Sequence, residues 1–158
     1  MRSVRRAMLG LLAVTACAPG PDREADRAAL LALTAEAGAA HTTGDAAAFL
    51  AAVDSGWWAA GNGRWSYREK AAALPGIAAY FATTTFDSIV EIQPPAIQFS
   101  LDGSVAWLRG EVAIWARTRD STGAESRHDF RAAWLDVYEK RGERWILAAR
   151  ANTESPLP

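Results

Sequence analysis

Val105–Arg117 has the sequence VAWLRGEVAIWAR, in which two kinds of side chain alternate. Successive side chains of a β-strand point to opposite faces of the sheet, so the alternation sorts them into two sets. The apolar set predicts a core face and consists of Ala106, Leu108, Gly110, Val112 and Ile114. The other set mixes tryptophans with charges: Val105, Trp107, Arg109, Glu111, Ala113 and Trp115. The stretch therefore predicts a long strand with a core on one side only, which is typical of an antiparallel sheet.

Other strand-like stretches lie before and after this one in the chain. The predicted strands are Phe86–Gln93, Ala96–Ser100, Arg127–Glu139 and Arg144–Asn152. Pro94-Pro95 divides the first two and confines that junction to a bend or a sheet edge, because proline has no N–H to donate. Leu101–Ser104, Asp120–Gly123 and Lys140–Glu143 are predicted turns between strands.

The first half of the chain has helical patterns instead. Asp22 is placed to cap a first helix that Gly44 ends, and apolar residues recur between them at helical spacing. Asp45 is placed to cap a second, short helix. A third helical region covers Arg68–Phe81 and is interrupted by Pro75.

A short hairpin is predicted between the second and third helices. Ser55–Ala60 and Arg64–Tyr67 are strand-like, and Asn62-Gly63 between them is a strong signal for a two-residue turn. Helices followed by a run of long strands predict an α+β fold, with about three N-terminal helices gathered on one face of an antiparallel sheet.

The order of these elements and four local motifs resemble the SnoaL-like division of the nuclear transport factor 2-like superfamily. The motifs are Thr43–Ala46, Gly63–Phe81, Asp102–Ala106 and Val137–Ile146, and the match extends over residues 24–153. The resemblance implies a cone-shaped fold, in which a curved sheet wraps around the helices. It also implies a pocket at the wide end of the cone and frequent dimerisation through the sheet.

The resemblance also provides a test for ketosteroid isomerase chemistry, which this superfamily includes. The catalytic base of those enzymes falls near Ala59–Gly61 here, but no Asp or Glu occurs between Asp54 and Glu69. The tyrosine that donates a hydrogen bond falls on Ala37. Only the third group, a carboxylate on the penultimate strand, has a counterpart in Asp136. An acid without its base cannot shuttle a proton, so we do not expect that mechanism.

The first 21 residues predict export and lipid anchoring. Residues 1–16 combine arginines at the start with the apolar run Ala7–Ala16, which is the layout of a signal peptide. Val14–Cys17 resembles a bacterial lipobox, whose cysteine is lipidated; residues 17–21 are then the anchor and its tether. The alternative is an ordinary signal peptide with an incidental cysteine. We therefore expect residues 22–158 to form a domain at a membrane of the bacterial cell envelope, facing the periplasm or the cell surface.

The composition argues against several classes of function. Removing residues 1–16 takes the net charge from −1 to −4, which argues against binding to nucleic acid. The two histidines, His41 and His128, are far apart, and no spacing typical of a metal site is present. The chain has no G-x-S-x-G motif and no complete glycine-rich dinucleotide loop, so we expect neither a metal nor a cofactor.

Aromatic and acidic residues supply the candidates for a ligand pocket. The residues expected to line it are Trp57, Tyr67, Trp134, Asp136 and Tyr138. If the protein is an enzyme, Asp136 is the candidate acid or base, with His41 or Tyr67 as its partner. The alternative is structural, with the seven tryptophans filling the core beside small alanines. Asp136 then pairs with Arg131 or Arg150.

The charged face of Val105–Arg117 predicts an interface between two copies of the chain. Its members are Trp107, Arg109, Glu111 and Trp115, and exposed aromatics beside arginine are typical of interfaces. The alternative is a hydrated surface with ion pairs between strands. Three functions are therefore compared: an anchored domain that binds a small apolar ligand or a partner without catalysis, an enzyme of the cyclase, dehydratase or isomerase type, and a homodimerisation module.

Overall fold

The computed structural model describes residues 22–157, and the predicted signal peptide and Cys17 lie outside them. Within this range, three helices and seven strands follow one another along the chain. In order they are α1 (Arg23–Thr43), α2 (Ala46–Phe49), β1 (Gly56–Gly61), β2 (Arg64–Glu69), α3 (Lys70–Thr83), β3 (Thr84–Phe99), β4 (Val105–Arg119), β5 (Glu125–Arg127), β6 (Phe130–Arg141) and β7 (Arg144–Pro156).

The seven strands form one curved sheet in the order β2-β1-β7-β6-β4-β3, with β5 paired to the end of β4. The long strands are antiparallel, as predicted. The exception is β1, which runs parallel to β7 and places Ala59 beside Arg150. Parallel neighbours need a long connection, and here nearly the whole domain separates the two strands in sequence. The predicted curved antiparallel sheet is therefore confirmed, with one parallel pair that the sequence did not indicate.

The two faces of β4 differ as the alternation predicts. Ala106 and Leu108 are completely buried, whereas Trp107 between them is 38% exposed. The helices lie on the face that carries Ala106 and Leu108, which is the concave face of the sheet. On β6 the same face carries Trp134, Asp136 and Tyr138, because Tyr138 pairs with Ala106 and Asp136 pairs with Leu108.

The predicted helix caps and the predicted hairpin turn are present. Asp22 accepts hydrogen bonds from two backbone N–H groups in the first turn of α1. Asp45 does the same for α2, and Gly44 ends α1 in the left-handed conformation at φ 70°. Asn62 and Gly63 both have positive φ (51° and 74°), as the tight turn between β1 and β2 requires.

The prolines were predicted to interrupt a helix and to divide a strand, and both interruptions were wrong, whereas the predicted sheet edge at Pro94-Pro95 is confirmed. Helix α3 continues through Pro75, because Pro75 and Ala71 are both exposed and the carbonyl freed by the missing hydrogen bond can meet water. β3 likewise continues through Pro94-Pro95. It tolerates the prolines because it is a sheet edge, and its pairing with β4 shifts register between Gln93 and Ala96.

The predicted strand Arg127–Glu139 is in fact two strands. The short β5 ends at Arg127, and β6 begins at Phe130 after a break at His128 and Asp129. The register against β4 is the same on both sides of the break: Arg127 pairs with Arg117 and Phe130 with Ile114, and the N–H of His128 donates to the carbonyl of Ala116.

The core consists of two apolar clusters between the helices and the sheet. One lies towards the start of α1 and includes Leu30, Trp57 and Trp145. The other lies towards the start of β3 and includes Phe81 and Phe86. Three partly buried side chains contact both clusters: Phe49, Ile77 and Trp134. The candidate site lies where the two clusters meet.

Candidate functional site

A buried ion pair between β6 and β7 is the centre of the candidate site. The pairing of the two strands places Asp136 opposite Arg150 on the concave face. Nε of Arg150 donates to Oδ1 of Asp136, and Nη2 donates to Oδ2, both at 2.7 Å. Asp136 is only 1% exposed. Two parallel charge-assisted hydrogen bonds fix the orientation of both groups.

Tyr138 adds a third hydrogen bond to the same carboxylate. It lies two residues further along β6, so its side chain shares the concave face, and its hydroxyl donates to Oδ2 of Asp136 at 3.3 Å. Burial raises the pKa of Tyr138, and the negative charge of Asp136 raises it further. The hydroxyl therefore remains protonated, and both oxygens of Asp136 accept hydrogen bonds from the protein.

Arg150 is a fixed cation with one nitrogen that Asp136 does not use. Burial lowers the pKa of Arg150, but the hydrogen bonds and negative charge of Asp136 together raise it above its ordinary value. Its guanidinium lies 5.6 Å from the ring centroid of Phe49, which adds a cation–π contact. The side chain is 24% exposed. Nη1 is the guanidinium nitrogen that makes no hydrogen bond to Asp136.

His41, in the last turn of α1, completes the aromatic side of the site. Its Nδ1 lies 2.8 Å from the carbonyl oxygen of Ala37, which can only accept, so Nδ1 carries a proton and Nε2 is the basic nitrogen of the neutral ring. Burial lowers the pKa of His41, and the charge of Arg150 lowers it further. Three rings surround it with centroids 5.0, 5.3 and 5.1 Å away: Phe49, Phe81 and Phe86.

Trp134 lies flat on β4 because the strand has a glycine opposite it. Gly110 pairs with Trp134 across β4 and β6. A Cβ atom at Gly110 would lie 2.3 Å from Cζ2 of the indole, closer than any real contact. The indole therefore lies directly on the backbone of β4. A glycine inside an alternating strand often marks such a close approach, so Gly110 is the signal in the sequence that points to it.

The structure brings some of the predicted site residues together and separates others. Trp134, Asp136 and Tyr138 share the concave face, and Phe49 lies between Arg150 and His41. Trp57 is 6% exposed and belongs to the core cluster around Leu30.

Tyr67 lies away from Asp136. It pairs with Trp58 across the β1–β2 hairpin, and their rings make an edge contact at 5.5 Å. Ala59, the neighbour of Arg150, points to the opposite face. Tyr67 instead lines an open groove of about 680 Å³ between β2 and α3. Tyr67 therefore cannot act directly with Asp136 in this arrangement.

The four residues predicted to form an interface lie on the convex face of the sheet. Glu111 pairs with Arg131 at 2.6 Å, and the indole N–H of Trp107 donates to Oε1 of Gln98 at 2.7 Å. These contacts also settle which arginine pairs with Asp136, since Arg131 is on the other face of β6.

The geometry does not favour proton transfer by Asp136. Asp136 would have to leave Arg150 before it could act as a base, and the position beside Arg150 on β1 is Ala59 rather than an acid. Among residues 22–157, no three metal-ligating side chains lie close enough together to hold a metal ion. In the same range, no helix is both long and apolar enough to cross a bilayer.

Comparison with known proteins identifies the fold. No protein-family model matches the chain, and no curated protein matches it. Solved structures do match. A conserved protein from Planctomyces limnophilus is 16% identical with a TM-score of 0.67, over 85% of this chain and 100% of that one. An NTF2-like protein from Cytophaga hutchinsonii is 12% identical with a TM-score of 0.62, over 82% and 98%. A ketosteroid isomerase-like protein from Erwinia carotovora atroseptica is 18% identical with a TM-score of 0.63, over 85% and 99%.

These similarities confirm the predicted class. The chain has the SnoaL-like, nuclear transport factor 2-like fold, an α+β cone in which helices pack against a curved sheet. At such low identity the resemblance establishes the fold alone, and proteins that share a fold differ widely in function. The function must be argued from the side chains of the site.

Proposed function

We propose that the chain is a lipid-anchored domain of the bacterial cell envelope that binds a small, planar, apolar molecule inside its cone, without catalysis. The observation that supports this proposal most strongly is that both oxygens of the buried carboxylate already accept hydrogen bonds from the protein. Asp136 accepts from Arg150 twice and from Tyr138 once, so it holds Arg150 in place rather than reacting.

The composition of the walls supports a planar apolar ligand. Ligand sites are mostly apolar, with a few fixed polar groups that orient the bound molecule. Here Trp134, Phe49 and His41 supply aromatic surface, and Nη1 of Arg150 is the polar group available for an acceptor oxygen. A ring system that carries one carbonyl or carboxylate oxygen matches this combination.

The anchor rests on the sequence before Asp22. Cys17 is the only cysteine and follows an apolar run that begins after a basic start. A thiol at that place suits acylation. The domain then stays at the membrane of its compartment and collects its ligand there.

Native mass spectrometry of the full chain, purified in detergent from its own cells, tests the proposal. The expected spectrum shows an acylated protein with one small molecule bound noncovalently. Trp134→Ala is expected to lose that molecule. Trp65→Ala is the matched control because Trp65 is 61% exposed on β2, and it is expected to keep the molecule. A wild-type spectrum without any bound molecule, or one that Trp134→Ala leaves unchanged, contradicts the proposal.

A second candidate function, homodimerisation, is supported by the convex face of the sheet. Large apolar side chains are exposed on two pairs of neighbouring strands with β7 between the pairs: Trp58, Trp65 and Tyr67 on β1 and β2, and Leu135 and Trp107 on β6 and β4. Extended apolar patches of this kind mark interaction sites. We propose that the protein forms a dimer through this face, with Trp107, Arg109, Glu111 and Trp115 among its contacts.

Light scattering after size-exclusion chromatography tests the dimer. The double change Trp107→Glu, Trp115→Glu is expected to give monomers, because it buries two unpaired charges on each side of the interface. Leu74→Glu, at an exposed position of α3, is the control and should leave the dimer intact. A dimer that survives the double change would rule out this face.

A further inference from the structure

A second surface, at the end of the domain where α1 begins, combines cationic and apolar side chains. Its members are Arg23, Arg27, Phe99, Leu101 and Trp107, and they line an open groove of about 510 Å³. We call it the α1-end surface. None of the residues around Asp136 belongs to this surface. Trp107 belongs both to it and to the convex face of the sheet. The α1-end surface therefore needs its own explanation.

The two arginines of this surface are held over an aromatic ring. The guanidinium groups of Arg23 and Arg27 lie 5.1 and 5.7 Å from the ring centroid of Phe99. Nη2 of Arg23 donates to the carbonyl oxygens of Ser100 and Leu101, each at 2.7 Å. Nη1 of Arg23 is buried and has no hydrogen-bond partner within the described residues.

The turn between β3 and β4 presents an apolar side chain next to these cations. Leu101 is fully exposed. The turn is well ordered, because the carboxylate of Asp102 accepts hydrogen bonds from the hydroxyls of Ser100 and Ser104 and from the N–H of Ser104. These hydrogen bonds lower the pKa of Asp102 to about 2. The turn therefore holds the Leu101 side chain in a position where a bilayer could bury it, and such burial is favourable.

The α1-end surface lies close to the proposed anchor. Five residues separate Cys17 from Arg23. A fully extended chain of that length spans about 20 Å at most. A short tether gives a high effective concentration, so weak contacts between this surface and the bilayer are enough to orient the domain. This matters because Asp22 and Glu24 offset the charge of the two arginines, and net charge alone would not hold the surface there.

We infer that the α1-end surface docks on the phospholipid bilayer that holds the acylated Cys17. Leu101 enters the interfacial layer, and the exposed Arg27 together with the exposed part of Arg23 contacts lipid phosphates; leucine and arginine are residue types that such interfaces favour. The inference rests on the proposed anchor. The docking also determines how far the ligand site lies from the bilayer. Helix α1 has 21 residues and is about 30 Å long. His41, near its other end, is then held away from the bilayer.

Fluorescence quenching in vesicles tests the orientation. The full acylated chain carries Leu101→Cys, labelled with an environment-sensitive dye and reconstituted in phosphatidylethanolamine–phosphatidylglycerol vesicles. Cys17 is acylated, so the new thiol is the only reactive one. Thr122→Cys is the matched control, because it lies in the turn at the other end of β4, which has 15 residues and is about 50 Å long. Spin-labelled lipids should quench the dye at 101 at least fivefold more than the dye at 122.

Two outcomes overturn the inference. Equal quenching at both positions would show that the domain has no fixed orientation, and stronger quenching at 122 would show the reverse one. The double change Arg23→Glu, Arg27→Glu is expected to abolish the difference between the positions while the protein still sediments with the vesicles. Failure of the anchor itself looks different: the protein stays in the supernatant and lacks the acyl mass.

Discussion

The domain contains two buried acid–base pairs, and they are built in different ways. Asp26 on α1 uses one oxygen, Oδ1, to accept from Lys140 at 2.6 Å and from the indole N–H of Trp145 at 3.0 Å. Its other oxygen is buried without a partner among the described residues. Asp136, by contrast, has hydrogen bonds on both oxygens. The hydrogen-bonding capacity of the carboxylate is therefore only partly used in the first pair, whereas both oxygens are used in the second.

The pairs also differ in what they connect. Asp26 and Lys140 are 114 residues apart, and their contact fastens α1 to the hairpin of β6 and β7. Asp136 and Arg150 are 14 residues apart on strands that already pair with each other. The second pair therefore adds little to the topology, although two charges were desolvated to build it. Its position among aromatic side chains indicates that it serves the site rather than the fold.

The largest expected effect is the loss of stability in Asp26→Ala. The change leaves the Lys140 ammonium partly buried and unpaired and removes the acceptor of the Trp145 indole, so we expect a loss of about 3–5 kcal/mol in the free energy of unfolding. Urea denaturation followed by circular dichroism measures it. Asp54→Ala is the control: Asp54 pairs with Arg141 at 3.1 Å but is 54% exposed, so its loss should cost less than about 1 kcal/mol. Equal costs would contradict the account.

Replacing both partners at once sharpens the comparison. Asp136→Ala alone should destabilise by about 3 kcal/mol, because Arg150 is left without a counter-charge. In Asp136→Leu, Arg150→Met both charges are gone, and most of that loss should be recovered. Each double change also leaves one buried donor without its acceptor: the Tyr138 hydroxyl at this pair and the Trp145 indole N–H at the other. Asp26→Leu, Lys140→Met should recover less, because the indole hydrogen bond is the shorter one (3.0 Å against 3.3 Å) and an indole N–H, unlike a hydroxyl, cannot rotate towards another acceptor. Comparable recovery of stability at both pairs would show that the two pairs contribute to folding in the same way.

Gly110→Ala tests the wall of the site. The new methyl group would meet Cζ2 of Trp134 at 2.3 Å, so the indole must move into the cone, at a cost of about 1–3 kcal/mol. Gly38→Ala is the control, because nothing lies within 4 Å of a Cβ there. In the middle of α1 that alanine should stabilise by about 0.5–1 kcal/mol. Thermal unfolding of the two variants should shift in opposite directions; a tolerated Gly110→Ala would contradict the close approach.

The smallest effect expected is a pH dependence caused by His41. Its pKa is lowered from 6.5 in the folded protein, so the unfolded chain binds more protons just below that pH. Stability should therefore be complete above about pH 6.5 and fall as the pH drops through the folded pKa. The urea midpoint between about pH 5 and about pH 8 measures this. His41→Phe should remove the dependence in that window, and an unchanged slope would assign it to another group.

The sequence was most informative where a feature is local. The caps at Asp22 and Asp45 and the turn at Asn62-Gly63 depend on neighbouring residues only, so they could be predicted. Pro75 and Pro94 led to wrong boundaries for a helix and a strand. The free-energy cost of each proline depends on whether the backbone carbonyl that loses its hydrogen bond is exposed to water, and this exposure is a property of the assembled fold.

The partner of Asp136 shows why the site itself could not be predicted fully. Counting back from the Arg141–Arg144 end of the last hairpin would place Asp136 opposite Ala149. The pairing shifts by one residue between Val137 and Tyr138, and that bulge brings Arg150 opposite instead. The roles of Phe49 and Gly110 likewise depend on which strands and helices become neighbours, which no local pattern encodes.

The most direct test of the account is a calorimetric titration with 2-naphthoate, a planar apolar acid, against the two double variants. Asp136→Leu, Arg150→Met should remain folded and bind at least about tenfold more weakly than the wild type, since a charge-assisted hydrogen bond is worth about 1.5 kcal/mol. Asp26→Leu, Lys140→Met should be less stable yet bind as the wild type does. Unchanged affinity in the first variant, or no binding by the wild type, would contradict a ligand site built on Arg150.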